Sequence, residues 1–217
     1  PSLRKRGDTY YYIYIQNNGL MELPNGSQNI APTRMAYMTG KHPLGPYEYG
    51  GLIISTSDYP EVINVHGSIV KFGGEWYVVY HRPVIDKKAT RVMCMERLQF
   101  RPNGSIIPAQ PTSSGIRGAF QPGDRIHASS AVIYPGGEMN PEFVSRKGKY
   151  PKMIYKKAGA NLGYRYINLT GLDTGSVSLY VKTHTKGGVF EFREGGVTGP
   201  ILTTIDLPDT EGQWQTV

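Results

Sequence analysis

The sequence predicts an all-β protein, and three observations carry that prediction. Apolar and aromatic residues recur in short runs, of which "TYYYIYIQ" (9–16) and "RVMCMERLQF" (91–100) are the clearest. Turn dipeptides such as Gly73-Gly74 and Asn103-Gly104 punctuate them. No stretch of helical period has capping residues at both ends. The supply of Gly (27), Tyr (16) and Pro (16) suits short strands joined by tight turns.

Taken in order, "TYYYIYIQ" is aromatic and β-branched and follows an Arg-Lys-Arg-Gly-Asp turn. "RMAYMT" (34–39) follows an Ala-Pro break. "HGSIVKF" and "EWYVVYH" flank Gly73-Gly74, which suits a hairpin turn with positive φ. "RVMCMERLQF" alternates and ends at "RPNGSI". Residues 1–110 therefore read as strands of successive four-stranded units. At 108–123 the texture changes to Pro, Ser and Gly with few strand formers, which reads as a linker or domain boundary. New short strands are expected beyond it: "DRIHASSAVIY" (124–134), "KMIYKK" (152–157), "LGYRYINL" (162–169), "GSVSLYVKTHT" (175–185), "GVFEFRE" (188–194) and "PILTTIDL" (200–207). "SVSLYVKT" alternates over a full strand, and Gly187-Gly188 then turns the chain back. Such close spacing suggests a sandwich or jelly roll. The expected domains are 1–115 and 116–217.

Composition narrows the function. The 217 residues are 39% hydrophobic and 19% charged, an ordinary globular balance. The net charge of +7 permits nucleic-acid or anionic-membrane binding without demanding it. Basic residues are scattered, apart from "LRKR" (3–6) and "SRKGKYPK" (145–152), and neither is a nucleic-acid motif. No apolar run reaches membrane-spanning length. A lone cysteine, Cys94, excludes an intrachain disulfide scaffold but does not settle the compartment.

Two histidines bracket the central hairpin "NVHGSIVKFGGEWYVVYHRP" (64–83): His66 ahead of its first strand, His81 past its second. A neutral imidazole is a directional donor or acceptor. The plain alternative for His66 is a buried ring satisfied by backbone carbonyls. His81, at a strand exit, is expected in loop packing or at a pocket rim.

Three stretches in the first part carry a resemblance. "PSLRKRGDTYYYIYI", "MTGKHPLGPYEYGGLII" and "VHGSIVKFGGEWYVVYHR" resemble, in order and spacing, the C-terminal part of a glycoside hydrolase family 43 catalytic domain, a five-bladed β-propeller. Residues 118–217 resemble a family 6 carbohydrate-binding module, through "GANLGYRYINL", "SVSLYVKTHTKGGVFEFRE" and "TTIDLPDTEGQW". The resemblance implies the fold: part of a propeller followed by a β-sandwich (jelly-roll) module. It implies that His66 points into the propeller channel, at the base of a sugar pocket or near a structural calcium ion. Calcium prefers oxygen ligands, so a water-bridged contact from His66 is the more plausible form. It also implies that Arg91, nine residues before Phe100, contacts the sugar. A guanidinium is a fork of donors suited to hydroxyls; the alternative is a solvated strand-end charge, the reading that fits Arg97.

The resemblance also says what to expect outside these residues. An inverting glycosidase needs a carboxylic acid and a carboxylate about 6.5–9.5 Å apart. The family's general acid is expected just ahead of Pro1, and its base and pKa-tuning aspartates lie in earlier blades, so no catalytic residue is assigned. Glu22, Glu48, Asp58, Glu61 and Asp86 are loop candidates, and none matches the motif. Roughly two of five blades are then expected here, with the missing N-terminal blades as their natural partners. In the binding module, sugars stack on flat aromatic rings while polar neighbours read the hydroxyls. The motif positions are Tyr164 and Trp214, with Tyr166 a weaker alternative. Tyr164 can equally be a core tyrosine. Where the module usually has an Ala-Glu pair that holds calcium, this chain has Ala128-Ser129.

The leading expectation is part of a secreted, extracellular hydrolase that removes arabinofuranosyl or xylosyl units from xylan or arabinoxylan. The fragment alone would be inactive. The alternative is a non-catalytic carbohydrate-binding protein built from the same modules. A nucleic-acid binder would need a sheet of interleaved basic and aromatic residues, which the sequence does not present. No nucleic acid and no membrane are expected among the partners.

Overall fold

The computed structural model describes residues 1–16, 20–22, 28–30, 34–54, 65–83, 91–133, 142–144, 152–171, 175–185 and 187–217. These are all-β, with helix limited to two single 3₁₀ turns at Gly115–Arg117 and Ala128–Ser130. They form two compact units, Pro1–Asn168 and Leu169–Val217.

The first unit is built on two antiparallel sheets. Strands β1 (Ser2–Arg6) and β2 (Thr9–Gln16) form a hairpin; β3 (Leu20–Glu22) and β4 (Gln28–Ile30) pair with each other; β5 (Arg34–Gly40) returns beside β2, and β6 (Glu48–Ile54) closes a sheet of order β1-β2-β5-β6. The next four strands, β7 (Gly67–Phe72), β8 (Glu75–Pro83), β9 (Arg91–Phe100) and β10 (Ile106–Ile107), form the second sheet in chain order. Both are simple meanders, as the successive four-stranded reading expects. A further short pair, β11 (Glu142–Val144) and β12 (Lys152–Ile154), follows.

Alternation explains the β2 and β9 parts of the core, while β5 and β6 bury consecutive residues where their pairing is irregular. Tyr11 and Ile13 of β2, Met35 and Tyr37 of β5, Ile53 and Ile54 of β6, Ile69 of β7, Val78 and Tyr80 of β8, Leu98 and Ile106 form one buried cluster. Each fully buried side chain of this size contributes up to about 1.5–3 kcal/mol. Two tyrosines also tie the sheets with polar bonds. Tyr11 Oη donates to Gly104 O at 2.7 Å, and Tyr37 Oη accepts from the Ile106 N–H at 2.9 Å. The Tyr37 ring lies so close over Gly50 that a Cβ there would sit 2.2 Å from a ring carbon. Only glycine fits.

Beyond β10 the expected strands differ from the observed backbone. Residues 124–133 contain a 3₁₀ turn and one bridge, Ile133 with Gly163. Residues 162–169 make isolated bridges only, because Tyr166 adopts φ 63°, a left-handed conformation that interrupts an extended run. The Pro/Ser/Gly stretch is anchored to the sheets: Ala109 N donates to Ile53 O at 2.8 Å, and Thr112 bonds to Glu96.

The second unit has two short ladders. β13 (Tyr180–Val181) pairs with β16 (Gln215–Thr216), and β14 (Val189–Arg193) pairs with β15 (Ile201–Asp206). The strand expected over 175–185 is thus two residues long. Gly187 and Gly188 extend the β14–β15 pairing through Leu207.

Candidate functional site

The two histidines meet. His81 N–H donates to His66 O at 3.0 Å, which continues the β7–β8 register by one pair. The rings stack with centroids 5.6 Å apart and planes 16° from parallel. His66 is exposed and His81 half-buried. On β9, Met93 stands opposite His81 and Arg91 opposite Pro83. Side chains alternate along strands, so His66, His81, Met93 and Arg91 share one face at one end of the second sheet. Arg91 is exposed there. The imidazoles offer hydrogen-bonding nitrogens and the guanidinium a donor fork, a set that can engage a polyhydroxylated ligand. Sequence reasoning placed His66 and Arg91 separately and left His81 to the rim; the adjacent register of the two histidines was the signal that joins them.

Among the described residues this end of the sheet shows no ion cage. Calcium takes six to eight oxygen ligands. Among the described residues no group of three His, Cys, Asp or Glu side chains stands together to hold a metal ion. At most His66 would meet such an ion from outside its oxygen shell. Of the loop acids, Glu48 is exposed at the start of β6; Asp58, Glu61 and Asp86, and the Glu22 side chain, lie outside the described residues.

On the other face of β8 and β9 lies a buried polar cluster that sequence reasoning missed. Glu96 is 3% exposed. Its Oε1 accepts from Tyr80 Oη at 3.2 Å and from the Thr112 N–H at 2.9 Å, and its Oε2 from Thr112 Oγ1 at 2.6 Å. Burial raises its pKa, and the Thr112 and Tyr80 bonds oppose that only in part. Burial likewise raises the Cys94 thiol, despite the Arg82 guanidinium beside it. Arg82, also buried, donates to Ala131 O and, at 3.2 Å, to Ser129 O. These groups line a cleft of about 410 Å³ with Ser113, Ser114 and Ser130. Both Glu96 oxygens already accept bonds, so the cluster works as a strap that holds 109–131 against the second sheet. The signal was phase: in "CMERLQF" the acid falls in step with Cys94, Leu98 and Phe100, the inward set.

Tyr164 lies in the first unit, half-buried, and its Oη donates to Ala128 O at 3.0 Å. Tyr166 is 51% exposed and its Oη bonds to Gln110 Oε1 at 3.1 Å. Ser129 presents no carboxylate and its carbonyl serves Arg82, so a calcium site at that position does not fit these residues. Trp214 lies in the second unit, just ahead of β16, and is 37% exposed. It stacks on Tyr180, with centroids 5.1 Å apart and planes 23° from parallel. The structure thus places Tyr164 and Trp214 in different units and gives Trp214 a second ring as neighbour. The loop that carries Trp214 is held by a reciprocal threonine pair. Thr183 N donates to Thr210 Oγ1 and Thr210 N to Thr183 Oγ1, both at 2.9 Å. Gly212, at φ 72°, follows; a Cβ there would come within 2.8 Å of the His184 ring.

Comparison with known proteins gives these positions a context. No protein-family model matches the chain. A xylosidase/arabinosidase of Thermoclostridium stercorarium is 31% identical over 93% of this chain and 46% of its own length. An arabinoxylan arabinofuranohydrolase of Paenibacillus polymyxa is 25% identical over 99% of this chain and 35% of its own length. The chain therefore spans less than half the length of these relatives. Among solved structures, a glycoside hydrolase family 43 arabinoxylan arabinofuranohydrolase of Bacillus subtilis, in complex with cellotetraose, shares 24% identity. That match covers 99% of this chain and 46% of that one, with a TM-score of 0.45. Along nearly its whole length, the chain resembles xylosidases, arabinosidases and arabinofuranohydrolases.

Proposed function

We propose that this chain is part of a glycoside hydrolase of family 43 that acts on plant cell-wall hemicellulose. The observation that carries the reading is the 31% identity to a xylosidase/arabinosidase over 93% of the chain. Two successive four-stranded meanders support it, since they are what two adjacent propeller blades require. In this reading the enzyme is secreted, inverts the anomeric centre, and removes arabinofuranosyl or xylosyl units from xylan or arabinoxylan. The shared face of His66, His81 and Arg91 belongs to its sugar pocket. Any calcium in the channel draws its oxygen ligands from elsewhere. Residues 116–217 serve as a carbohydrate-binding sandwich with Trp214 as a stacking ring.

The test is activity on aryl arabinofuranosides and xylosides. The 217-residue polypeptide is expected to give no turnover, because none of its carboxylates stands at the family's acid or base position. In a chain that also carries the upstream blades of its relatives, exo-hydrolysis should appear, and proton NMR should catch the inverted anomer first. A retained anomer rejects inversion, and no activity with those blades present favours the non-catalytic binding protein. Trp214→Ala should weaken retention on xylan in an affinity gel about tenfold, the share of one stacked ring at roughly 1–1.5 kcal/mol. Unchanged retention places the sugar elsewhere.

A further inference from the structure

We propose that two neighbouring turns of the first unit form a binding site for a carboxylated sugar, such as a uronic acid branch on the polysaccharide. β1 runs beside β7: Ser2 Oγ and Ser68 Oγ are 2.8 Å apart, and Arg4 Nε donates to Ile69 O at 3.1 Å. That alignment sets the β1–β2 turn next to the β7–β8 turn. Between them lies an open cleft of about 500 Å³, lined by Lys5, Arg6, Gly7, Lys71, Gly74 and Trp76. The three ionisable residues of that lining, Lys5, Arg6 and Lys71, are all basic. Lys5 and Lys71 are exposed, and Lys5 Nζ lies 5.3 Å from the centre of the Tyr10 ring. Arg6 and Trp76 are half-buried and braced by one aromatic ring. The Arg6 guanidinium sits 4.2 Å from the Phe100 centroid, and the Trp76 ring meets Phe100 edge-on at 5.7 Å.

The chemistry of the lining selects the ligand. An indole offers a flat apolar surface to the C–H face of a pyranose ring. Ammonium groups and a guanidinium answer a carboxylate by charge-assisted hydrogen bonds. A neutral sugar would use these groups only as hydrogen-bond donors and leave their charge unanswered, and an inorganic phosphate has no use for the indole. Gly7 and Gly74, at φ 57° and 88°, leave the turn backbones bare, so a ring can approach them closely. The choice of a saccharide over a nucleic-acid phosphate rests on the hemicellulase reading above.

Calorimetric titration of the full chain tests the site. The probes are a xylo-oligosaccharide with one uronic acid branch, its neutral counterpart of equal length, and a single-stranded oligonucleotide. At low salt the acidic sugar should bind about five- to tenfold more tightly than the neutral one, the reach of two or three exposed ion pairs. Physiological salt should shrink that ratio. The double variant Lys5→Gln/Lys71→Gln should abolish it, and Lys5→Arg/Lys71→Arg should keep it. Equal binding of the two sugars, or a ratio untouched by the glutamine variant, overturns the proposal. An oligonucleotide bound as tightly as the acidic sugar overturns the sugar assignment in favour of a phosphate site. A ratio that survives Trp214→Ala, even where neutral xylan is held more weakly, supports the cleft independently of the proposed module.

Discussion

In the first unit apolar alternation ends in burial, and in the second it does not. Tyr11, Ile13, Met35 and Tyr37 are at most 1% exposed, whereas Val189, Val197 and Leu202 of the second unit are 50% exposed or more. Among the described residues of Leu169–Val217 the buried one is Thr210, a polar side chain. The contrast teaches what alternation does. It decides which side of a strand is apolar, but the length of the strand follows from what covers that side. β9 has ten residues, and its buried pair, Glu96 and Leu98, lies beneath the strap at 109–131 and in the core. "SVSLYVKT" alternates equally well, yet its strand is two residues long, extended only by the Leu179–Val217 backbone exchange. Where apolar cover is thin, the Thr183–Thr210 exchange of hydrogen bonds closes the fold instead.

The strongest attempt to break this comparison is a matched pair of truncations. Tyr37→Ala should cost about 3–5 kcal/mol in urea unfolding, the usual range for emptying a buried aromatic site. Tyr37→Phe should cost about 1–2 kcal/mol, because it leaves the buried Ile106 N–H without its acceptor. Val189→Ala and Leu202→Ala should stay within about 0.5 kcal/mol, as exposed substitutions do. Similar costs in both units would mean that the second unit's apolar face is covered in solution.

The strap offers the next largest effect. Arg82→Met should destabilise the first unit by about 1–3 kcal/mol, because the Ala131 and Ser129 carbonyls lose charged donors. Glu96 adds a pH signature. Its folded pKa is raised by burial, so its contribution to stability is fully present below the ordinary glutamate pKa and is lost as pH rises through the folded value. The stability difference, wild type minus Glu96→Gln, should therefore fall from mildly acidic pH toward neutrality. A flat difference would mean that water reaches the carboxyl.

The first unit was far more legible in the sequence than the second, for a physical reason. β2 and β9 match the runs 9–16 and 91–100 residue for residue, because their alternation is answered by a core. Two hairpins of the second sheet followed from the turns at Gly73-Gly74 and Asn103-Gly104. What could not be read depends on tertiary partners. The 3₁₀ turn at Ala128–Ser130 sits where Arg82 takes the neighbouring carbonyls, and no local pattern announces a guanidinium from residues 47 and 49 positions away. At the candidate site, His66 and Arg91 could be named from motif, but their shared face needed the register of β8 with both neighbours. Tyr180 escaped notice because its pairing with Trp214 depends on the β13–β16 ladder.

Thr210→Val sharpens the comparison from the other side. Valine keeps the shape and removes the hydroxyl that accepts from Thr183 N and donates to Thr183 O. The expected loss is about 1–2 kcal/mol, confined to the second unit, since a part-buried N–H and carbonyl each lose a partner. Trp214 fluorescence should report it, because the loop positions that ring against Tyr180. A loss as small as that of Val189→Ala would show that the threonine pair is not what closes this unit.

The smallest expected effect separates stability from function inside the well-packed unit. His66 is exposed, and what binds it to the sheet is its backbone carbonyl, which any residue supplies. His66→Ala should therefore change unfolding free energy by no more than about 0.5 kcal/mol, although it removes the ring stacked on His81. In a chain that carries the upstream blades of its relatives, the same substitution should lower kcat, while Arg91→Ala should raise KM at least as much as it lowers kcat. The two variants probe one face of one sheet, so a ligand that sits there must feel both. Loss of stability without loss of turnover would make the stacked histidines a structural clasp. Loss of turnover at unchanged stability would place the sugar on the face where His66, His81 and Arg91 meet.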